Sequence, residues 1–307
     1  MSKLRIGMIG LDTSHVVAFT KLLNNPDSEH HVPGAEVVVA FPGGSDDMEL
    51  SYSRVEKFTN QLRDEYGIEL VDSPEKVAEK CDAILLESVD GRVHLEQFKK
   101  IAPYKKPTFI DKPFATTSAD ALEIKRLSEE HQTPVMSCSA LRYSVSLTNA
   151  LDVTAGKEIY GMDAYGPLAI EENHGLFWYG IHTAEMLYRV FGTGCEKVTV
   201  TKNEDHDLIV GEWKDGRIGS LRGNRKGNNT FGAFLHTEEG TRYVDVTKDD
   251  KPFYAALLEE IIPFFQTKKP AIDIEETLEI TRFLEAANAS RETGKTVLLK
   301  GNKERIH

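Results

Sequence analysis

From Lys3 to about Ala140 the chain alternates short apolar segments with longer amphipathic ones, and that rhythm admits few folds. "KLRIGMIG", "AEVVVAF", "IELV", "DAILLES", "KPTFID" and "PVMSCSA" read as strands. Their mostly uninterrupted apolar character predicts burial on both faces rather than on one. Between them lie helical patterns: "SHVVAFTKLLNN", a stretch from about Tyr52 to Tyr66, a short helix after Ser73-Pro74, "HLEQFKKIAPY", and "SADALEIKRLSEEHQ" with Ser118 as N-cap. Strands covered on both sides and separated by helices predict an α/β domain with a doubly wound parallel sheet.

After about Ala140 the rhythm changes. "GLFWYGIHTAEMLYRVFG" has the spacing of one amphipathic helix closed by Gly192. Strand pairs follow around evident turns, "DLIVGEW-KDG-RIGSLRG" and "GAFLHT-EEG-TRYVDV", whose Gly216 and Gly240 supply the positive φ of tight hairpins. Two helical segments, from about Tyr254 and about Ile274, come last. The expected division is a nucleotide-type α/β domain over 1–138 and an α+β domain with a largely antiparallel sheet over 139–307.

A chain of 307 residues is long enough for two such domains, and its 40% hydrophobic and 28% charged residues suit a globular protein. The net charge of -12 gives no electrostatic footprint for nucleic acid or an anionic membrane. No apolar run approaches the roughly 20 residues that span a bilayer. "MSK" leads straight into a strand pattern, so no signal peptide is expected. Cys81, Cys138 and Cys195 lie far apart without a CxxC, which predicts neither a disulfide framework nor a metal site and suits a reducing, cytoplasmic compartment. His174 and His182, eight apart with no third ligand type nearby, do not suggest zinc either.

The stretch "IGMIGLDTSHVV" holds a conflict. It reads as strand, glycine turn and helix, the place where a dinucleotide pyrophosphate sits in α/β folds. Gly10 can make the tight turn, yet Asp12 and His15 occupy the positions of the second and third fingerprint glycines. A carboxylate facing phosphate is unfavourable. Asp12, Thr13 and Ser14 are also good N-caps, and Thr13, Ser14 and His15 can donate to phosphate oxygens. On the loop alone a nucleotide site and a plain capped helix are equally open. At the end of the second strand, "AFPGGSDD" displaces the acids beyond a Pro-Gly-Gly turn, and Ser45 there leans slightly towards NADP over NAD. Glu87 and Ser88 end the fourth strand, where ligands of open sheets gather, and Ser88 joins the cofactor candidates.

Two later stretches carry a resemblance. "FIDKPFATTSADALEI" is similar to the Glu-Lys-Pro segment of the glucose–fructose oxidoreductase, inositol dehydrogenase and rhizopine-catabolism family (Gfo/Idh/MocA), and "GLFWYGIHTAEMLYRVFG" resembles that family's Asp-x-x-x-His helix. The order of segments fits over essentially the whole chain. The resemblance implies a Rossmann-type domain, a C-terminal domain with an open-faced sheet that often pairs subunits into homodimers or homotetramers, and a nicotinamide cofactor, NAD or NADP. It implies hydride transfer at a hydroxyl carbon of a sugar, polyol or related small molecule. By position, Lys112 matches the family lysine and His182 its histidine, both catalytic, while Arg142 falls among substrate-pocket residues. A desolvated lysine suits the chemistry, because burial brings its pKa towards working pH.

The departures from the pattern are specific. Asp111 stands for the motif's glutamate, and Trp178 stands for the aspartate four residues before His182. His182 then needs another partner, for which Tyr179 and Glu185 are candidates; Trp178 offers a stacking surface for a sugar ring. The alternative class is a non-redox ligand-binding or regulatory protein with a degenerate nucleotide site. A lyase or epimerase using a tightly held nucleotide internally is also compatible. "EHH" at His30 and His31 and the basic cluster Arg217, Arg222, Arg225 and Lys226 read as solvated surface.

Overall fold

Six short strands line up in parallel because each is apolar enough to be covered on both faces. In the computed structural model, which describes residues 3–171 and 174–299, the chain begins β1 (Leu4–Ile9), α1 (His15–Asn24), β2 (Ala35–Phe41), α2 (Glu49–Tyr52), α3 (Val55–Tyr66) and β3 (Glu69–Leu70). It continues α4 (Pro74–Lys80), β4 (Ala83–Leu86), α5 (His94–Ile101), β5 (Thr108–Ile110), α6 (Ser118–His131) and β6 (Val135–Met136). The next elements are α7 (Val145–Val153), β7 (Ile159–Pro167), α8 (Phe177–Phe191), β8 (Cys195–Lys202), β9 (His206–Trp213) and β10 (Ile218–Asn224). The last are β11 (Gly232–Thr237), β12 (Gly240–Asp245), α9 (Phe253–Thr267), α10 (Ile274–Thr293) and β13 (Val297–Leu298).

Two compact units result. The first holds the residues up to Cys138 together with Lys251–Thr277, so α9 belongs with the leading α/β segment. Its sheet runs β3-β2-β1-β4-β5-β6, all parallel, the doubly wound order of dinucleotide-binding folds. β4 is buried at every position, as expected of a central parallel strand. Local chemistry sets the helix ends: Ser73 accepts from the Lys76 amide with Pro74 at the first helical position, and Gly67 closes α3 in the left-handed region at φ 67°. Two boundaries differ from the spacing-based expectation. The stretch around Tyr52 breaks at Ser53-Arg54 into α2 and α3, and Thr117, not Ser118, caps α6 through the Asp120 amide.

The second unit comprises Ser139–Asp250 and the residues from Leu278 on. Its sheet runs β12-β11-β7-β10-β9-β8-β13, antiparallel except where β10 lies parallel to β7. Both expected hairpins form, with φ 90° at Gly216 and 116° at Gly240. Helix α8 packs on one face of this sheet so closely that a Cβ on Gly219 would come within 2.6 Å of Leu187. Tyr188, Phe191, Trp213 and Phe283 interlock edge to face beneath it, with ring centroids 4.9–5.8 Å apart for three of the pairs. Leu208, Ile218, Phe234 and Tyr243 lie exposed on the opposite face. Among the described residues no helix is long and apolar enough to cross a membrane.

Candidate active site

Gly10 turns the chain at the end of β1 with φ 86°, and a Cβ there would strike Ser88 at 2.2–2.5 Å. The first loop therefore rests directly on the end of β4, a contact only glycine permits. Asp12, fully buried, accepts hydrogen bonds from the Val89 amide at 2.9 Å and the Ser51 hydroxyl at 2.6 Å. Ser51 Oγ accepts in turn from the Ser45 amide at 2.7 Å. Burial pushes the Asp12 carboxyl up, and those hydrogen bonds oppose the rise. Its charge is thus used to join three loops, and the objection that it would face a phosphate falls.

The start of α1 is open by contrast. Ser14 is its N-cap residue but makes no side-chain capping bond, so the positive end of the helix is available to an oxyanion. Thr13 is buried, with its hydroxyl 3.4 Å from the His15 amide, and Ser14 is exposed. Beyond β2, the buried Ser45 hydroxyl has no hydrogen-bond partner among the described residues. Ser88 donates to Gln97 Oε1 at 2.9 Å, so its hydroxyl is already engaged. A dinucleotide fits these residues: an open helix end, an obligatory glycine turn, and an unsatisfied hydroxyl at the ribose end of the sheet.

A second group gathers where β1, β4 and β5 end. His15 points its Nδ1 at Asp111 Oδ2, 2.7 Å away, and lies 3.8 Å from Glu87 Oε2. Its ring is walled by Phe19 and Tyr254, at centroid distances of 5.6 and 4.8 Å. The imidazole expected to meet a phosphate is therefore directed at two carboxyl groups. Lys112 is buried, and burial pulls its amine below the usual lysine range against the opposing pull of Asp111 and Glu87. Burial also lifts the Glu87 carboxyl well above its ordinary value, with the neighbouring Asp111 charge adding to the rise. For Asp111 burial acts upward too, but His15 beside it, helped by Lys112, holds it below the ordinary range.

In the second unit His182 has a partner that neither spacing nor resemblance indicated: Ser139 Oγ lies 2.6 Å from its Nδ1. Glu185, one candidate for that role, instead accepts from Arg142 Nη1 at 2.9 Å, both side chains nearly buried. Tyr179, the other, meets the His182 ring edge-on at 6.2 Å, and Phe231 does so at 5.4 Å. Trp178 is 8% exposed and packs edge-on against Tyr179, so it serves the core at least as much as a ligand face.

Residues 4–138 match the family model described as "Oxidoreductase family, NAD-binding Rossmann fold" (Gfo/Idh/MocA). Among solved structures the chain is similar to a probable dehydrogenase from Thermotoga maritima, at 18% identity and TM-score 0.77, covering 96% of this chain and 99% of that one. It is also similar to a scyllo-inositol dehydrogenase from Lactobacillus casei with bound NAD(H) and scyllo-inositol, at 13% identity and TM-score 0.80, covering 97% and 99%. A myo-inositol 2-dehydrogenase from Lactobacillus plantarum gives 15% identity and TM-score 0.76 over 97% and 100%. At these identities the likeness shows the fold alone. No curated protein matches the chain.

Replacing Asp12 with alanine strands the Val89 amide and loosens Ser51 from the loop, at a cost of about 1–3 kcal/mol. The expected result is a melting temperature lower by several degrees in differential scanning calorimetry, with Asp12→Asn recovering part of the loss. An unchanged melting point for the alanine variant would show that the carboxylate does not tie the loops.

Proposed function

We propose that the protein is an NAD(P)-dependent oxidoreductase that transfers a hydride between a nicotinamide and a hydroxyl carbon of a sugar, polyol or related small molecule. The observation that carries this reading is the buried Lys112 amine at the carboxyl end of β5, inside a segment of the NAD-binding oxidoreductase family. Gly10, Thr13, Ser14 and the open end of α1 would hold the pyrophosphate, and Ser45 would serve the adenosine ribose. A dinucleotide held there supplies the hydride acceptor or donor. The slight lean towards NADP weakens on the structure, because Arg92, which reaches the loop after Ser45, is already bound by Asp47 and Asp90. NAD is the cofactor we favour.

Lys112 takes the proton of the substrate hydroxyl on oxidation and returns it on reduction. Desolvation disfavours its ammonium form, which makes the amine a readier proton acceptor than an exposed lysine. His182, oriented by Ser139, supplies a second polar contact for a substrate hydroxyl. Arg142 is neutralised by Glu185, which suits an uncharged, hydroxyl-rich substrate better than an acid. The inositols bound by the Lactobacillus casei structure belong to that chemical class. With Asp12 turned inward, the main reason to prefer a non-redox binding protein is gone. The burial of Cys81, Cys138 and Cys195 fits a reducing compartment.

A panel of polyols and sugars assayed with NAD and NADP is expected to reveal turnover with NAD preferred. In Lys112→Met, kcat/KM should fall about 10²- to 10⁴-fold while calorimetric titration with NADH stays near the wild-type affinity. Equal turnover in the variant would remove Lys112 from the reaction. Ser139→Ala should lower kcat/KM on the order of tenfold through a misoriented imidazole, with little change in melting temperature and recovery in Ser139→Thr. If the alanine variant loses stability but not activity, Ser139 serves only the fold.

The same reading has the chain pair through the sheet face that carries Leu208, Ile218, Phe234 and Tyr243. Light scattering is expected to give a multiple of the 34.3 kDa chain mass, reduced to one in Phe234→Asp/Ile218→Asp. A monomeric wild type at working concentration would reject the pairing.

A further inference from the structure

Glu87 and Asp111 follow the adjacent strands β4 and β5, and His15 opens α1, which follows their neighbour β1. The Glu87 amide donates to Ile9 O at 2.7 Å and the Asp111 amide to Leu86 O at 2.8 Å, so both carboxylates project from clamped backbone. One ring nitrogen and two carboxylate oxygens lie within 4.8 Å of one another, all from buried residues. Donors each about 2.1 Å from a shared cation lie at most about 4.2 Å apart, so a bound ion would draw this group slightly closer.

Two observations separate this group from an ordinary buried acid cluster. Glu87 is completely buried, and neither of its carboxyl oxygens has a hydrogen-bond partner among the described residues, although one faces His15 Nδ1 at 3.8 Å. A carboxyl so placed is costly unless something satisfies it. His15 Nδ1 is just as unusual. It sits 2.7 Å from Asp111 Oδ2 yet makes no hydrogen bond of acceptable alignment with it. Donor and acceptor at that distance normally line up, whereas two ligands flanking a third centre do not.

We propose that His15, Glu87 and Asp111 bind a divalent transition-metal cation. The donor set decides its class. All-oxygen sites suit calcium and magnesium; an imidazole with two carboxylates suits Mn(II), Fe(II) or Zn(II). Three protein ligands leave coordination positions for water or another small ligand. Phe19 and Tyr254 hold the imidazole plane, as packed surroundings do for metal-binding histidines. The proposal goes beyond hydride transfer and does not depend on it.

The test uses the full chain, stripped with chelator, incubated with MnCl₂ or ZnCl₂, desalted, and read by elemental analysis. Mn(II) electron paramagnetic resonance and thermal melts give two further readouts. Neither nucleotide nor substrate is present, so the result stands whatever the enzymatic assays show. Wild type is expected to retain about one equivalent of Mn(II) or Zn(II) per chain and to melt higher with it. Glu87→Gln removes a ligand while conserving volume and the neutral form that burial favours, so it should fold. It and His15→Gln are expected to bind at least about tenfold more weakly and to lose the melting shift. Folded wild type without stoichiometric metal would overturn the proposal, and so would retention in either variant equal to wild type.

Discussion

Four ionisable side chains, His15, Glu87, Asp111 and Lys112, are buried where three parallel strands end, and the first unit is arranged around that constraint. Taking charge out of water costs several kcal/mol per group unless partners replace the solvent. The fold supplies them unequally. Asp111 has His15 and Lys112 beside it, which favour its negative charge; Glu87 has no hydrogen-bond partner among the described residues and is driven towards its neutral form. Two carboxyl groups in one enclosure are thereby pushed apart in pKa, the pattern that marks reactive sites more often than structural ones. A fold selected for stability alone would place leucine at Glu87, as it does at Leu85 and Leu86 just before it.

The departures from the glycine fingerprint belong to the same arrangement. A second glycine gives backbone room for pyrophosphate; here Asp12 uses its side chain to fasten the Ser51 and Val89 loops, which fixes the position of the end of β4. A third glycine lets α1 approach β1; here His15 occupies that point and turns its ring towards Asp111. What remains for a phosphate is the uncapped end of α1, an electrostatic site that needs no glycine beyond Gly10. Loss of a motif and loss of a function are therefore different things in this loop.

Sequence periodicity carried the parallel sheet well, because β1, β2 and β4 are apolar runs bounded by turn residues. The two hairpins were equally plain, since Gly216 and Gly240 sit at the turns. Strand β7 was not read at all: Gly161, Asp163, Gly166 and Pro167 interrupt its alternation, and its place between β11 and β10 comes from long-range pairing. The membership of α9 in the first unit was hidden for a similar reason, since an apolar helix does not state which surface it covers. Lys112 and His182 were legible only through resemblance. The contacts Ser139–His182 and Arg142–Glu185 each join residues 43 positions apart, a spacing that no local pattern encodes. The expectation of no metal site rested on ligand spacing in sequence, a criterion that says nothing of groups such as His15, Glu87 and Asp111, which come together from distant positions.

The second unit shows what replaces the lost aspartate. An aspartate one turn before His182 would share its proton and bring a negative charge; tryptophan at that position brings neither and buries its indole. Ser139, arriving from the start of the unit, orients the imidazole without adding charge. The acid that does lie on α8, Glu185, is matched by Arg142, so the pair contributes no net charge either. Ser139 beside His182 is thus a neutral partner, and the Arg142–Glu185 pair is balanced in charge. In the proposed function, partners of this kind favour selection by hydroxyl geometry over selection by charge, because every hydroxyl left unmatched on desolvation carries its full cost.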